Sequence, residues 1–220
     1  MQGLILAAGK GTRMGNIEVP KCLLEINGVP IIKHQINSFK KNGINDIVVV
    51  TGYKSEMIHD LLNDQVQYVH NSKFNEMNNI YSVWLAIQKL RGDFICVYGD
   101  LMFDEEILKK CLEIKSEIGL IVETNTRDET MKVKIENEKI VAVNKKIDYK
   151  TADGNFVGMA KFSKNVLKIL FNEIDYLITE NIDGYYTLGI ENLIKKNVEV
   201  GYQVTNGLSW MDIDEEREFE

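Results

Sequence analysis

The sequence predicts an α/β protein in which a mixed, mostly parallel central sheet carries helices on both faces. Three observations lead there. Strand-sized apolar runs alternate with amphipathic helical stretches through the first half. A glycine-rich turn follows the first of those runs directly. The second half changes to shorter alternating segments that read as a hairpin and its neighbours. With 220 residues and no Pro- or Ser-rich linker, the chain is expected to form one domain over 1–220, with a first half over 1–116 and a second over 117–220.

Gly3 to Ala8 has the length and flanks of a buried strand. Pro30 stands at the first turn of a helical pattern (Ile31, Ile32, Ile36, Phe39) that stops at Asn42-Gly43. Asp46–Thr51 reads as a strand, and a short helix from Ser55 puts Met57, Ile58, Leu61 and Leu62 on one face. Val66–Val69 is a further strand, Ile80–Leu90 an amphipathic helix, and Phe94–Tyr98 a strongly apolar strand that ends at Gly99-Asp100. Asp104 is placed to cap the helix after it. These strand-then-helix units imply parallel pairing. Ile118–Glu123 is then a strand, and Met131–Glu136 with Lys139–Val143 a hairpin turning at Asn137-Glu138. Phe156–Phe162 reads as a strand, Lys164–Leu177 and Gly184–Lys196 as helices, and Val198–Val204 as the last strand.

Composition bounds the function. Apolar residues make up 45% and charged residues 27%, which is ordinary for a globular protein and excludes a disordered or collagen-like chain. A net charge of −7 argues against a nucleic-acid partner. The apolar runs are strand-sized, so no membrane span is expected. Three scattered cysteines (Cys22, Cys96, Cys111) and no visible signal peptide point to a reducing, cytoplasmic compartment. His34, His59 and His70 lack metal-ligand spacing, and Cys22 has no partner pattern for a thiol nucleophile.

The turn Gly9-Lys10-Gly11-Thr12-Arg13-Met14-Gly15 lies where such sheets bind anions, because glycines let backbone N–H groups approach closely. Its spacing fits neither the dinucleotide fingerprint nor a Walker A loop. A carboxylate at the end of a central strand, Asp100, falls in the crevice where α/β sheets take ligands. Asp212 and Asp214 sit two apart in Trp210-Met211-Asp212-Ile213-Asp214, so an extended backbone would point both the same way; Asp214 reads equally well as a helix cap.

Leu6-Ala7-Ala8-Gly9-Lys10-Gly11-Thr12-Arg13-Met14, followed by Pro20-Lys21, resembles the signature L-A-A-G-x-G-[ST]-R-[LM] … P-K of the nucleoside-triphosphate transferases. Asn78-Asn79-Ile80-Tyr81-Ser82 and Tyr98-Gly99-Asp100-Leu101-Met102-Phe103 resemble elements of its cytidylyltransferases acting on phosphocholine, aminoethylphosphonate and phosphoglutamine. The resemblance implies the Rossmann-like fold of nucleotide-diphospho-sugar transferases (glycosyltransferase-A type). It also implies transfer of CMP from CTP to a small phosphate or phosphonate acceptor, for surface polysaccharide or phosphonate modification. Leu6 to Arg13, Lys21, Asn78, Asn79, Ser82, Tyr98 and Gly99 would then bind the nucleotide. Arg13, Lys21 and Lys145 (or its neighbour Lys146) would be catalytic. Asp100, Asp212 and Asp214 would hold Mg²⁺, with Mn²⁺ as a substitute; Asp100, Lys145, Tyr185 and Tyr186 would meet the acceptor. The same resemblance leaves two alternatives, a sugar-1-phosphate uridylyl- or thymidylyltransferase and an inactive nucleotide-sensing subunit. It implies a monomer or homodimer.

Overall fold

The computed structural model describes residues 1–11, 18–127 and 130–213. In chain order the first half holds β1 (Gln2–Ala7), β2 (Glu25–Ile26), β3 (Val29–Pro30), α1 (Ile31–Lys41), β4 (Asp46–Thr51), α2 (Ser55–Leu62), β5 (Gln67–His70), α3 (Asn79–Ile87), β6 (Phe94–Tyr98), β7 (Leu101–Phe103) and α4 (Glu105–Glu113). The second half holds β8 (Ile118–Glu123), β9 (Lys132–Glu136), β10 (Lys139–Asn144), β11 (Gly154–Phe162), α5 (Leu167–Thr179), α6 (Thr187–Lys195), β12 (Val200–Val204) and β13 (Trp210–Asp212). Among the described residues nine strands form one sheet in the order β10-β9-β11-β6-β1-β4-β5, with β8 on β11 and β12 on β8.

β1 is central, parallel to β4 on one side and to β6 on the other, and every residue of it is buried. Burial on both sides is why its sequence is an unbroken apolar run. Leu4 and Leu6 face a core with α3, α5 and α6, whereas Ile5 and Ala7 face one with α1, α2 and α4. Each core draws residues from both halves of the chain. Antiparallel pairing begins where β11 joins β6, as the alternating second half implies. The β9–β10 hairpin turns through Asn137 and Glu138 with φ of 49° and 61°, left-handed values that match the twist of the strands.

Element ends differ from the sequence reading by a few residues. The helix expected from Gly184 starts at Thr187, because the preceding segment packs on the start of α3, where Gly184 O accepts from Ile80 N at 3.2 Å. The helix expected from Lys164 opens with a 3-10 turn before α5. Pro30 caps α1 rather than joining it. Two short ribbons, β2–β3 and β7–β13, have no counterpart in the sequence reading. No helix among the described residues is long and apolar enough to cross a membrane.

Strand β11 bulges between Phe156 and Ala160, and Gly158 takes a φ of +94° there. A Cβ at that position would stand 2.6 Å from the Tyr98 ring. The Gly158→Ala variant is therefore expected to lose about 2–4 kcal/mol of unfolding free energy, read from urea denaturation. A loss below about 0.5 kcal/mol would show that the bulge relaxes freely.

Candidate active site

At the end of β1 the chain leaves the sheet as the turn from Ala8 to Gly11. Ala8 O accepts from Tyr53 N at 3.0 Å, fixing the turn against the loop after β4. Gly11 has a φ of +68°, and a Cβ on it would lie 2.8 Å from both Cγ and Cε of Lys21. The glycine thus gives the turn its left-handed bend and lets the Lys21 stem run directly beneath it. Lys21, only 9% exposed, sends its ammonium to Ile213 O at 2.7 Å and lies 3.6 Å from Asp100 Oδ2.

Asp100 stands just past β6. Gly99 before it donates to Leu6 O at 2.9 Å, and a Cβ on Gly99 would come within 2.8 Å of that same oxygen. β7 then pairs antiparallel with β13, placing Asp212 opposite Leu101, and Ile213 N donates to Asp100 O at 3.3 Å. Two carboxylates far apart in sequence thereby reach one cleft of about 280 Å³ together with Leu6, Gly9, Tyr98 and Lys145. From beneath, Gln35 of α1, fully buried, donates to Tyr98 O at 2.8 Å and to Leu101 O at 2.7 Å. Its amide bridges the carbonyls on either side of Gly99-Asp100 and so fixes where that carboxylate points.

A smaller pocket of about 210 Å³ adjoins the cleft and is lined by Ala8, Asn78, Asn79 and Ser82 among others. Ser82 Oγ accepts from Asn71 Nδ2 at 3.0 Å, which leaves its own proton to donate. Asn78 is held by Asp183, through its backbone N at 2.7 Å and its Nδ2 at 2.5 Å. Asn79 Oδ1 accepts from Tyr186 N at 2.9 Å.

The tyrosine pair divides. Tyr185 lines both spaces, and Lys145 Nζ lies 3.1 Å from its hydroxyl and 4.5 Å from its ring centre. Tyr186, expected at the acceptor, is instead wholly buried among Tyr98, Phe156 and Phe162 and lines neither space. Of the two candidate lysines, Lys145 lines the cleft, while Lys146 is exposed and not part of its lining. Ala7 turns its side chain into the core with α1, so only its backbone lies near the turn. Lys10 is exposed, 5.8 Å from the Tyr53 ring centre. Thr12, Arg13 and Asp214 lie outside the described residues. Burial, reinforced by the charge of Asp100, pushes the Cys22 thiol well up, so it stays protonated and makes a poor nucleophile.

Sequence reasoning missed Arg127, Thr130 and Trp210 as cleft residues. Arg127 lies over the Trp210 ring at 5.9 Å, and Trp210 Nε1 donates to Glu123 Oε2 at 3.2 Å. Burial raises the Glu123 carboxyl, but hydrogen bonds from Thr205, the backbone of Asn125 and Trp210 outweigh it and hold the group below its usual value. The motif Trp-x-Asp was a signal for Trp210; the irregular stretch around Arg127 offered none.

Residues 3–133 match the family described as the MobA-like NTP transferase domain. The chain belongs to that family. It is 28% identical to the CTP:phosphoglutamine cytidylyltransferase of Campylobacter jejuni, over 97% of this chain and 96% of that protein. It is 36% identical to the choline-phosphate cytidylyltransferase of Streptococcus pneumoniae over 107 residues, which cover 47% of this chain and 46% of that one. The inositol-1-phosphate CTP transferase from T. maritima superposes over all of this chain and 91% of its own with a TM-score of 0.82; at 23% identity this shows the shared fold, that of nucleotide-diphospho-sugar transferases.

Removing the Gln35 amide leaves two buried carbonyls without their donor. Gln35→Leu is expected to lower unfolding free energy by about 2–4 kcal/mol, and Gln35→Glu, which sets a carboxylate against those carbonyls, by more. Denaturant midpoints of the two variants give the order, and a Glu variant as stable as the parent would remove Gln35 from this role.

Proposed function

We propose that this member of the MobA-like NTP transferase family is a cytidylyltransferase, moving CMP from CTP onto a small phosphate or phosphonate monoester and releasing pyrophosphate. The observation that carries the reading is Lys21, clamped under the Gly11 turn and 3.6 Å from Asp100, which lines the crevice. A protein of net charge −7 needs such a fixed cation to hold a triphosphate. The names of the relatives, which act with CTP on phosphoglutamine and choline phosphate, support the same nucleotide.

An acceptor oxygen attacks the α-phosphorus, forming a new P–O bond as the bond to the β-phosphate oxygen breaks and its electron pair leaves with pyrophosphate. The acceptor is already an anion, so no base has to remove a proton. Catalysis is then positioning and charge neutralisation. Backbone N–H groups of the turn and the Lys21 ammonium face the phosphates, while Lys145 steers the acceptor from across the cleft. Ser82 and Asn79 offer a hydroxyl proton and an amide to a pyrimidine edge in the side pocket.

Among the described residues no three His, Cys, Asp or Glu side chains stand close enough to hold a metal by themselves. A pair of hard carboxylates, Asp100 and Asp212, fits Mg²⁺, which takes one or two protein oxygens and completes its shell with water and phosphate. Bound there, the ion would neutralise charge on the phosphate oxygens.

Pyrophosphate release measured with CTP, UTP, ATP and GTP against a pool of phospho-acceptors tests the reading: release with CTP alone is expected, and release with UTP instead would indicate a sugar-1-phosphate enzyme. Lys21→Ala should lower kcat by about 10²–10³ while the protein stays folded by circular dichroism. Near-parental turnover would take Lys21 out of the site. Asp100→Asn should abolish metal-dependent release, and full activity at millimolar Mg²⁺ would show that the ion is held elsewhere.

A further inference from the structure

The wall of the cleft away from the glycine turn carries two cations, each laid on an aromatic ring. Lys145 Nζ lies 4.5 Å from the Tyr185 ring centre, and the Arg127 guanidinium 5.9 Å from that of Trp210. Tyr185 and Trp210 are partly exposed, whereas Phe156, also in the lining, is packed away against Tyr98 and Tyr186. Partly exposed rings are what would receive an ammonium head group. Here the protein's own cations cover Tyr185 and Trp210, and Tyr98, the other partly exposed ring of the lining, packs edge-on against Phe156 and Tyr186.

The carboxylates point the same way. Among the described residues that line the cleft, the acids are Asp100 and Asp212, and Asp100 lies 3.6 Å from the Lys21 ammonium. Glu123, behind Trp210, is engaged by Thr205 Oγ1 at 2.6 Å, Asn125 N at 2.9 Å and Trp210 Nε1 at 3.2 Å. A cationic head group would thus meet two like charges.

Arg127 is also built in place. Its backbone N donates to Asn155 Oδ1 at 3.3 Å, and its carbonyl accepts from Thr130 Oγ1 at 2.9 Å. Thr130 Oγ1 is also 2.6 Å from Asn155 Oδ1, and Asn155 is 1% exposed on β11. Lys145 serves the phosphate that is activated, which leaves the planar fork of Arg127 to a further anion. A guanidinium matches a carboxylate or phosphate through two parallel hydrogen bonds.

We propose that the acceptor carries a second anionic group besides the phosphate being activated, that Arg127 binds it, and that acceptors with a cationic head are turned away. This rests on the cytidylyltransferase reading above.

The test is pyrophosphate release from CTP and Mg²⁺ with three acceptors of similar size: 3-phosphoglycerate, which has a carboxylate; glycerol 3-phosphate, which lacks one; and phosphocholine, which has a cation. The expected order of kcat/KM is 3-phosphoglycerate about tenfold or more above glycerol 3-phosphate, with phosphocholine lowest. Arg127→Gln should bring the ratio of the first two close to one, and Arg127→Lys should keep part of it. Phosphocholine as the best acceptor, or a ratio unchanged in Arg127→Gln, overturns the inference and leaves the cytidylyltransferase intact. No release from CTP with these three or with the pool of phospho-acceptors above, from folded protein, removes the cytidylyltransferase reading and this inference with it.

Discussion

A single buried ammonium organises this molecule's working face. Lys21 reaches from the first loop to a backbone carbonyl 192 residues later, at 2.7 Å, and keeps Asp100 within 3.6 Å. A charge so little exposed is tolerated only with oxygen partners around it, so the segments that supply them must lie where they do. Gly11 has to be a glycine because the Lys21 stem passes beneath it. The β7–β13 ribbon has to close over the end of β6, since it brings Ile213 O and Asp212 to the same place.

The sheet supplies the rest by simple geometry. The parallel strands β1 and β6 end side by side, and Gly99 lets the chain leave β6 against the backbone of β1. Loops at such ends point their backbone N–H groups and side chains into one crevice. The antiparallel half then contributes the opposite wall through β11 and the segments before β9 and after β10. Parallel strands thus carry the glycine turn and Asp100, and the antiparallel half carries the cations laid on Tyr185 and Trp210.

Legibility followed the range of the interactions. β1, β4 and β6 were plain in the sequence because burial on both faces leaves an unbroken apolar run. The glycine-rich motif stood out because its residues are contiguous, and its described part, Ala8 to Gly11, leaves the end of β1. By contrast, β7 and β13 are three residues each, and their pairing spans over a hundred positions, so no local pattern contains it. Neighbours of equal type were equally opaque. Tyr185 and Tyr186 differ only in which way the backbone turns them before α6, and Lys145 and Lys146 only in which side of the chain they leave after β10. Arg127 was invisible for another reason: a buried asparagine on a distant strand positions it, without any periodicity of its own.

The late position of β13 has a consequence for synthesis. A ribosome delivers Lys21 long before its carbonyl partner, 192 residues later, so the sheet can assemble while the crevice is still open on one side. Contacts of such sequence separation form late, because a long loop must close before they are rewarded. The sheet therefore forms before the crevice is complete, and the step that completes the crevice is the docking of a three-residue ribbon. Any factor that holds that ribbon away would leave a folded sheet beside an unfinished crevice.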